Sequence, residues 1–149
     1  MKKITLLLLL MFSALTPLLA QNKDKAQMRK ELEEYKMKYL AQEMELNKDQ
    51  QKKFFEIYAQ MSQERVKLFR ETKALEKKVN SGTATDAEYK EASRALTAAK
   101  EKEAEIERRY DEKFSQFLTQ KQIFKMKKAE QEFTSKVKKM HKEKEKSPK

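Results

Sequence analysis

The 149-residue chain is poor in residues that cross-link a fold, interrupt helices or bind metals. It contains no Cys, which excludes disulfides and thiolate metal sites. A single Gly and two Pro leave little to interrupt a helix, and no segment shows the alternation of β-branched residues that is typical of a strand. Charged residues, by contrast, make up 40% of the chain. These features favour elongated helices that bury narrow apolar stripes.

No catalytic or metal-binding pattern is visible. No Ser, Asp or Glu lies in a nucleophile or phosphate-loop motif, and most carboxylates alternate with Lys and Arg as on a solvated helix face. The single His, His141, is flanked by Lys139 and Lys142, whose charges repel a cation. We therefore expect no enzyme activity, no cofactor and no metal site.

The first twenty residues have the pattern of a cleavable secretory signal peptide. Lys2 and Lys3 precede an apolar run at 4–15, and Ala20 stands before the expected cleavage site. A retained membrane anchor is the weaker interpretation, because the run is short and is followed by Thr16 and Pro17. Such a segment would direct export to the periplasm. Its cleavage after residue 20 would lower the net charge of the protein from +11 to +9.

A five-residue motif occurs twice, at 46–50 and 118–122, with a spacing of 72 residues. Each copy predicts a capping box at a helix start: the first joins Asn47 to Gln50, and the second joins Thr119 to Gln122. Leu46 and Leu118 precede the two caps. In the second copy Ile123 completes a hydrophobic staple with Leu118, whereas the first copy has Gln51 at the equivalent position.

This doubled Leu-Thr-x-x-Gln pattern, with Asn47 replacing Thr in the first copy, resembles the Spy/CpxP family of periplasmic proteins. The segment at 36–58, KMKYLAQEMELNKDQQKKFFEIY, also resembles the family's first helix and motif. The resemblance covers nearly the whole mature chain. It implies an elongated, cradle-like, all-helical fold and an ATP-independent chaperone that acts in the envelope stress response.

The apolar spacing independently predicts four helices, at about 25–45, 48–79, 86–118 and 120–144. The first carries an apolar stripe through Met28, Leu32, Tyr35 and Tyr39. Residues 80–84 form the only clear turn, so the second and third helices should fold back as a long antiparallel hairpin. We expect an all-helical domain at 21–143 and a disordered basic tail at 144–149.

If the hairpin folds about this turn, its facing residues can be paired by number. The register sets Phe54 against Phe114 and places Arg65 opposite Glu103, the only two charges in the hairpin's apolar stripes. We expect that ion pair to fix the alignment.

The second helix carries more apolar surface than a hairpin seam can bury. A second stripe includes Phe55, Ala59, Val66 and Phe69. We expect it to meet another subunit in an elongated homodimer; coverage by the first and fourth helices of a monomer is the alternative.

Residues 125–149 contain ten Lys and four Glu, a net charge of +6 that would attract anionic partners. An exported chain meets acidic lipid, polysaccharide and unfolded acidic proteins, so nucleic acid is not an expected partner. A merely solubilising helix end is the alternative interpretation.

The preferred hypothesis is a holdase that binds unfolded or misfolded envelope proteins weakly on a basic and apolar helical surface. The candidate client contacts are Phe55, Val66, Phe69, Lys52 and Lys73. Two alternatives stay open. One is a regulatory adaptor that docks on a membrane stress sensor, as some family members do, and the other is a Skp-like basic holdase, which would require strands.

Overall fold

The computed structural model describes residues 23–146, with side chains for 26–140, 142 and 143. This part of the chain folds into four helices and no strand: α1 at Lys23–Glu43, α2 at Lys48–Val79, α3 at Asp86–Ser115 and α4 at Gln120–Lys146. The predicted all-α fold is confirmed. None of these helices combines the length and the apolar character that crossing a membrane requires.

The helix boundaries follow the predicted ones closely. α2 begins and ends at the predicted residues, α1 lies two residues earlier than expected, and α4 runs to Lys146. Residues 144–146, which we assigned to a disordered tail, are therefore helical. The predicted signal peptide at 1–20 and the tail residues 147–149 lie outside the described residues.

The described residues divide into two units, at 23–34 and 35–146. In the described part of the first unit, Gln27 Nε2 donates a hydrogen bond to Glu31 Oε1 at 2.9 Å, one turn further along α1. Met28 and Leu32 are 46% and 44% exposed, so the first half of the predicted α1 stripe is not buried. In the second unit, Tyr35 is half-buried and Tyr39 is buried.

α2 and α3 form the predicted antiparallel hairpin. The turn places Gly82 at φ 83°, a left-handed conformation that Gly adopts without strain. Thr85 then begins α3 with a capping box: its Oγ1 accepts from the Glu88 N–H, and its N–H donates to Glu88 Oε2 at 2.8 Å. At the other end of the hairpin, the Phe54 and Phe114 rings lie 5.6 Å apart, which confirms that predicted contact.

The hydrophobic core lies at the end of the hairpin away from the turn. All four helices contribute to it, since residues of α1 and α4 pack there against the hairpin. Its largest fully buried side chains are Tyr58, Tyr110, Phe54, Phe114, Leu40, Met44, Met61 and Met126. Nearer the turn only Val79 and Ala92 are buried, so that part of the hairpin has little core of its own.

The predicted ion pair between Arg65 and Glu103 is wrong. Arg65 Nη1 instead donates to Glu130 Oε1 of α4 at 3.0 Å, while Glu103 is exposed. Tyr58 Oη donates to the same carboxylate oxygen at 2.5 Å, and Lys36 Nζ of α1 lies 3.5 Å from it. The hairpin prediction omitted the inward face of α4, which supplies the carboxylate. Glu130 therefore joins three helices rather than fixing the hairpin register.

This arrangement predicts unequal effects of two matched substitutions. Glu130→Gln removes the charge that Arg65, Tyr58 and Lys36 share in a half-buried site, and should lower the free energy of unfolding by about 1 to 3 kcal/mol. Glu103→Gln, on an exposed face, should change it by less than about 0.5 kcal/mol. Urea unfolding followed by circular dichroism measures both. Equal losses would contradict the assignment of Glu130.

Candidate functional site

Both sequence motifs form helix caps, and the first begins α2. Asn47 Oδ1 accepts from the Gln50 N–H at 2.9 Å, and the Asn47 N–H donates to Gln50 Oε1 at 3.2 Å. Gln51, which replaces the apolar staple residue, has a polar contact in its place: its Nε2 donates to the Leu46 carbonyl at 2.9 Å. In the first copy, therefore, a hydrogen bond from Gln51 holds Leu46, the residue before the cap, where the second copy uses an apolar contact.

The second motif begins α4 in the same way. Thr119 Oγ1 accepts from the Gln122 N–H at 3.2 Å, and the Thr119 N–H donates to Gln122 Oε1 at 3.0 Å. Leu118 and Ile123, the predicted staple pair, are both buried in the common core. Thus both copies have the complete capping-box geometry.

The fold brings the two capping boxes together. Gln50 Nε2 donates to Gln122 Oε1 at 3.1 Å, and Gln122 Nε2 donates to Gln50 Oε1 at 3.2 Å. Gln50 Nε2 also donates to the Phe117 carbonyl, at 3.2 Å, in the loop before α4. Each glutamine oxygen accepts from its own cap and from the other glutamine. We call this arrangement the motif junction, comprising Asn47, Gln50, Thr119 and Gln122.

Sequence analysis identified these residues as two separate caps and missed their contact. A carboxamide neither titrates near neutral pH nor acts as a nucleophile, so the chemistry of the junction is hydrogen bonding alone. Its effect is to hold the first turns of α2 and α4 side by side. The motif junction is thus an architectural site that positions the neighbouring surfaces.

The loop that leads into the first motif contains a residue in the left-handed region. Glu45 adopts φ 56°, and the Leu46 N–H donates to the Ala41 carbonyl at 3.0 Å, as in a Schellman end. Lys125 of α4 pairs with the Glu45 carboxylate at 3.0 Å, and this contact lowers the pKa of Glu45. Glu45, which is in the left-handed region although it is not Gly, thus also binds α4 through its side chain.

Charged groups also connect the hairpin helices to each other and to α4. Glu64 of α2 accepts from Tyr110 Oη at 2.6 Å and from Arg109, both on α3. Lys127 of α4 donates to Glu107 and Asp111 of α3. These contacts and the Glu130 network lie beside the core, where partial burial strengthens hydrogen bonds to charged groups.

These contacts shift several pKa values. The hydrogen bond from Tyr110 lowers the pKa of Glu64, with further lowering from Arg109, while burial and the Glu64 carboxylate raise the pKa of Tyr110 to about 12. Burial and the nearby Glu43 and Glu132 raise the pKa of Tyr39 to about 12. Around neutral pH, both phenols therefore remain protonated and can donate hydrogen bonds.

The five candidate client contacts have different environments. Phe55 is half-buried and packs against the core, which leaves only part of it for a partner. Val66 and Phe69 are 40% and 61% exposed, and Lys52 is exposed without an ion pair to a described residue. Lys73 Nζ lies 5.8 Å from the centre of the Phe69 ring and pairs with Glu76. We call Val66, Phe69 and Lys73 the α2 patch.

The surplus stripe on α2 is thus covered only in part. Phe55 and Ala59, nearest the core, are half-buried, whereas Val66 and Phe69 lie further toward the turn and stay exposed.

Within the described residues there is no group of three or more His, Cys, Asp or Glu that could hold a metal ion. The side chain of His141 lies outside the described residues.

Comparison of the chain with protein-family models, with curated proteins and with solved structures found no match. The Spy/CpxP resemblance therefore rests on the two motifs and the segment at 36–58.

The motif junction predicts that Gln50 and Gln122 are energetically coupled. Each single change to Ala should cost about 1 kcal/mol as a lost cap, and the double variant should deviate from additivity by at least about 0.5 kcal/mol because the two amides share their hydrogen bonds. A double-mutant cycle by urea unfolding measures this coupling.

The third capping box supplies the control. Glu88 completes a box with Thr85 at the turn end of the hairpin and forms no hydrogen bond with either glutamine, so Gln50→Ala and Glu88→Ala should be additive within about 0.5 kcal/mol. Additivity in both cycles would contradict the energetic coupling of Gln50 and Gln122.

The raised pKa of Tyr110 predicts a loss of stability at alkaline pH. The folded chain holds this phenol proton more tightly than the unfolded chain, so the contribution is complete below pH 10 and is lost as the pH rises toward about 12. Tyr110→Phe should lower the pH dependence of the free energy of unfolding in that range. An unchanged pH dependence in Tyr110→Phe would contradict this origin of the alkaline loss.

Proposed function

We propose that this protein is an ATP-independent chaperone of the periplasm that binds unfolded envelope proteins through the α2 patch. The observation that carries the proposal is the exposure of Val66 and Phe69 on one face of α2, beside the cation of Lys73. The doubled motif, which resembles that of the Spy/CpxP family, and the apolar N-terminal segment typical of a signal peptide also support it.

The size of the patch favours weak and reversible binding. Complete burial of one Val or Phe side chain contributes about 1.5 to 3 kcal/mol, and these two are already partly covered. Such binding can hold an exposed apolar segment of a client without becoming too tight to release. Release would then need no nucleotide hydrolysis.

The charges along the same face suit encounter with many clients. The line that leads from Lys52 through Phe55, Ser62 and Val66 to Lys73 contains no carboxylate. Glu76, one turn beyond, pairs with Lys73. Lys52 and Lys73, at the two ends of this line, attract acidic segments without requiring one sequence, as a holdase with several clients requires.

We also propose a homodimer, but not through the surplus α2 stripe that the sequence analysis assigned to it, because the proposal gives that stripe to clients. Met28 and Leu32 of α1 stay exposed in the single chain and offer apolar surface to a second copy instead. We also propose that the protein is not an enzyme. The adaptor hypothesis differs from the chaperone hypothesis in its partner, which would be a single membrane sensor.

The proposal predicts that the protein suppresses aggregation of two unrelated unfolded proteins without ATP. Val66→Ser with Phe69→Ser should remove most of this suppression, because the apolar contact is lost while the net charge is unchanged. Light scattering during dilution of each client from denaturant measures the effect. Suppression should weaken at high salt to the extent that lysines contribute.

The matched control replaces two exposed aromatic residues elsewhere, Tyr89→Ser on α3 and Phe124→Ser on α4, and should retain suppression. Equal losses in both double variants would exclude the α2 patch as the binding surface. No suppression of either client by the unmodified protein, at several-fold excess, would favour the adaptor.

A further inference from the structure

The outward face of α4 carries a line of lysines that contains no described carboxylate. Its members follow spacings of three and four residues along the helix, apart from the adjacent pair Lys138 and Lys139, and all of them are exposed. We call this line the α4 strip, comprising Lys121, Phe124, Lys128, Gln131, Ser135, Lys138, Lys139 and Lys142. From Lys121 to Lys142 it spans about 31 Å at 1.5 Å per residue.

The described carboxylates of α4 form no ion pair with the lysines of the strip. Glu130 is held by Arg65 and Tyr58, and Glu132 Oε2 lies 3.5 Å from Tyr39 Oη. Glu132 and Glu143 are exposed at the edge of the strip, four residues from Lys128 and Lys139, but form no ion pair with them. Glu45, which pairs with Lys125, also lies near Lys121. Lys128, Lys138, Lys139 and Lys142 form no ion pair with a described residue.

From this strip we infer that α4 docks the protein on an anionic lipid surface. Because its charges lie along one face of one continuous helix, a flat surface can contact them together. The opposite face of α4, with Ile123, Met126 and Phe133, is buried in the core, so docking requires no unfolding and no insertion of the helix.

The kind of cation favours a diffuse anionic surface over a specific acidic protein. α4 contains ten Lys and no Arg, whereas the six Arg of the chain lie elsewhere. Arg binds carboxylates through a planar, two-pronged contact, while Lys acts as a hydrated point charge on a flexible stem. A row of lysines with no such fork suits many headgroups of variable position. Phe124, 69% exposed, adds an apolar contact at one end of the strip.

Vesicle sedimentation tests the inference, using phosphatidylglycerol–phosphatidylcholine vesicles and pure phosphatidylcholine vesicles. The protein is purified with whatever N-terminus the expression host leaves on it, and every variant has the same N-terminus. We expect binding to the anionic vesicles only, with loss of binding as salt rises from about 0.1 M to 1 M and the screening length falls from about 10 to 3 Å.

The decisive variant is Lys128→Gln, Lys138→Gln and Lys142→Gln. Each lysine near an anionic surface should contribute about fivefold to the partition coefficient, so the triple variant should lose on the order of a hundredfold. The control, Lys90→Gln, Lys100→Gln and Lys102→Gln on the exposed face of α3, removes the same charge and should lose only a few-fold. Circular dichroism verifies that both variants stay folded.

Three results would overturn the inference. They are equal binding to both kinds of vesicle, equal losses in the two triple variants, and tighter binding of soluble poly-glutamate than of anionic vesicles through the same lysines. The last result would assign the α4 strip to an acidic polypeptide instead. The inference does not depend on the α2 patch, since Val66→Ser with Phe69→Ser should leave vesicle binding unchanged.

Discussion

The shared hydrogen bonds of Gln50 and Gln122 are the constraint on which the placement of α4 depends. Each glutamine completes the cap of its own helix, and each also holds the other, so the first turns of α2 and α4 must lie together. From that starting point, α4 passes along α2 and brings Glu130 to Tyr58 and Arg65. In a chain without Cys, these polar contacts and the apolar packing beside them do what a disulfide does in many small exported proteins.

The same constraint explains the uneven core. Rings from α1, α2, α3 and α4 pack in the core at this end of the hairpin, where Phe54 contacts Phe114; Tyr39 contacts Phe133 further along α4. Away from the junction the hairpin has only its own two helices, so it buries Val79 and Ala92 and leaves Phe69 exposed. The exposed α2 patch thus lies on a part of α2 that the other described helices leave largely uncovered. Apolar residues there have no helix available to cover them.

Local signals made much of this fold predictable from the sequence. Caps at Asn47, Thr85 and Thr119 depend on residues within one helical turn, so the starts of three helices could be placed correctly. Contacts between helices depend on which faces meet, and here the pairing of Arg65 with Glu103 was wrong. A usable signal was present: Glu130 is the acid within the apolar stripe of α4, and it follows Tyr58 by the same 72 residues that separate the two glutamines. The exposure of Met28 and Leu32 had no such signal, because their spacing is that of a buried stripe.

The basic faces and the helix contacts have a common origin in the distribution of carboxylates. Glu64, Glu107, Asp111 and Glu130 all bind side chains of neighbouring helices. Some cations bind there too, namely Arg65, Arg109 and Lys127, but the lysines of the α4 strip do not. Because these acids hold the helices together, they are not available to neutralise the outer face of α4. A positive surface follows from this way of packing charged helices, and a partner of opposite charge is what such a surface can bind.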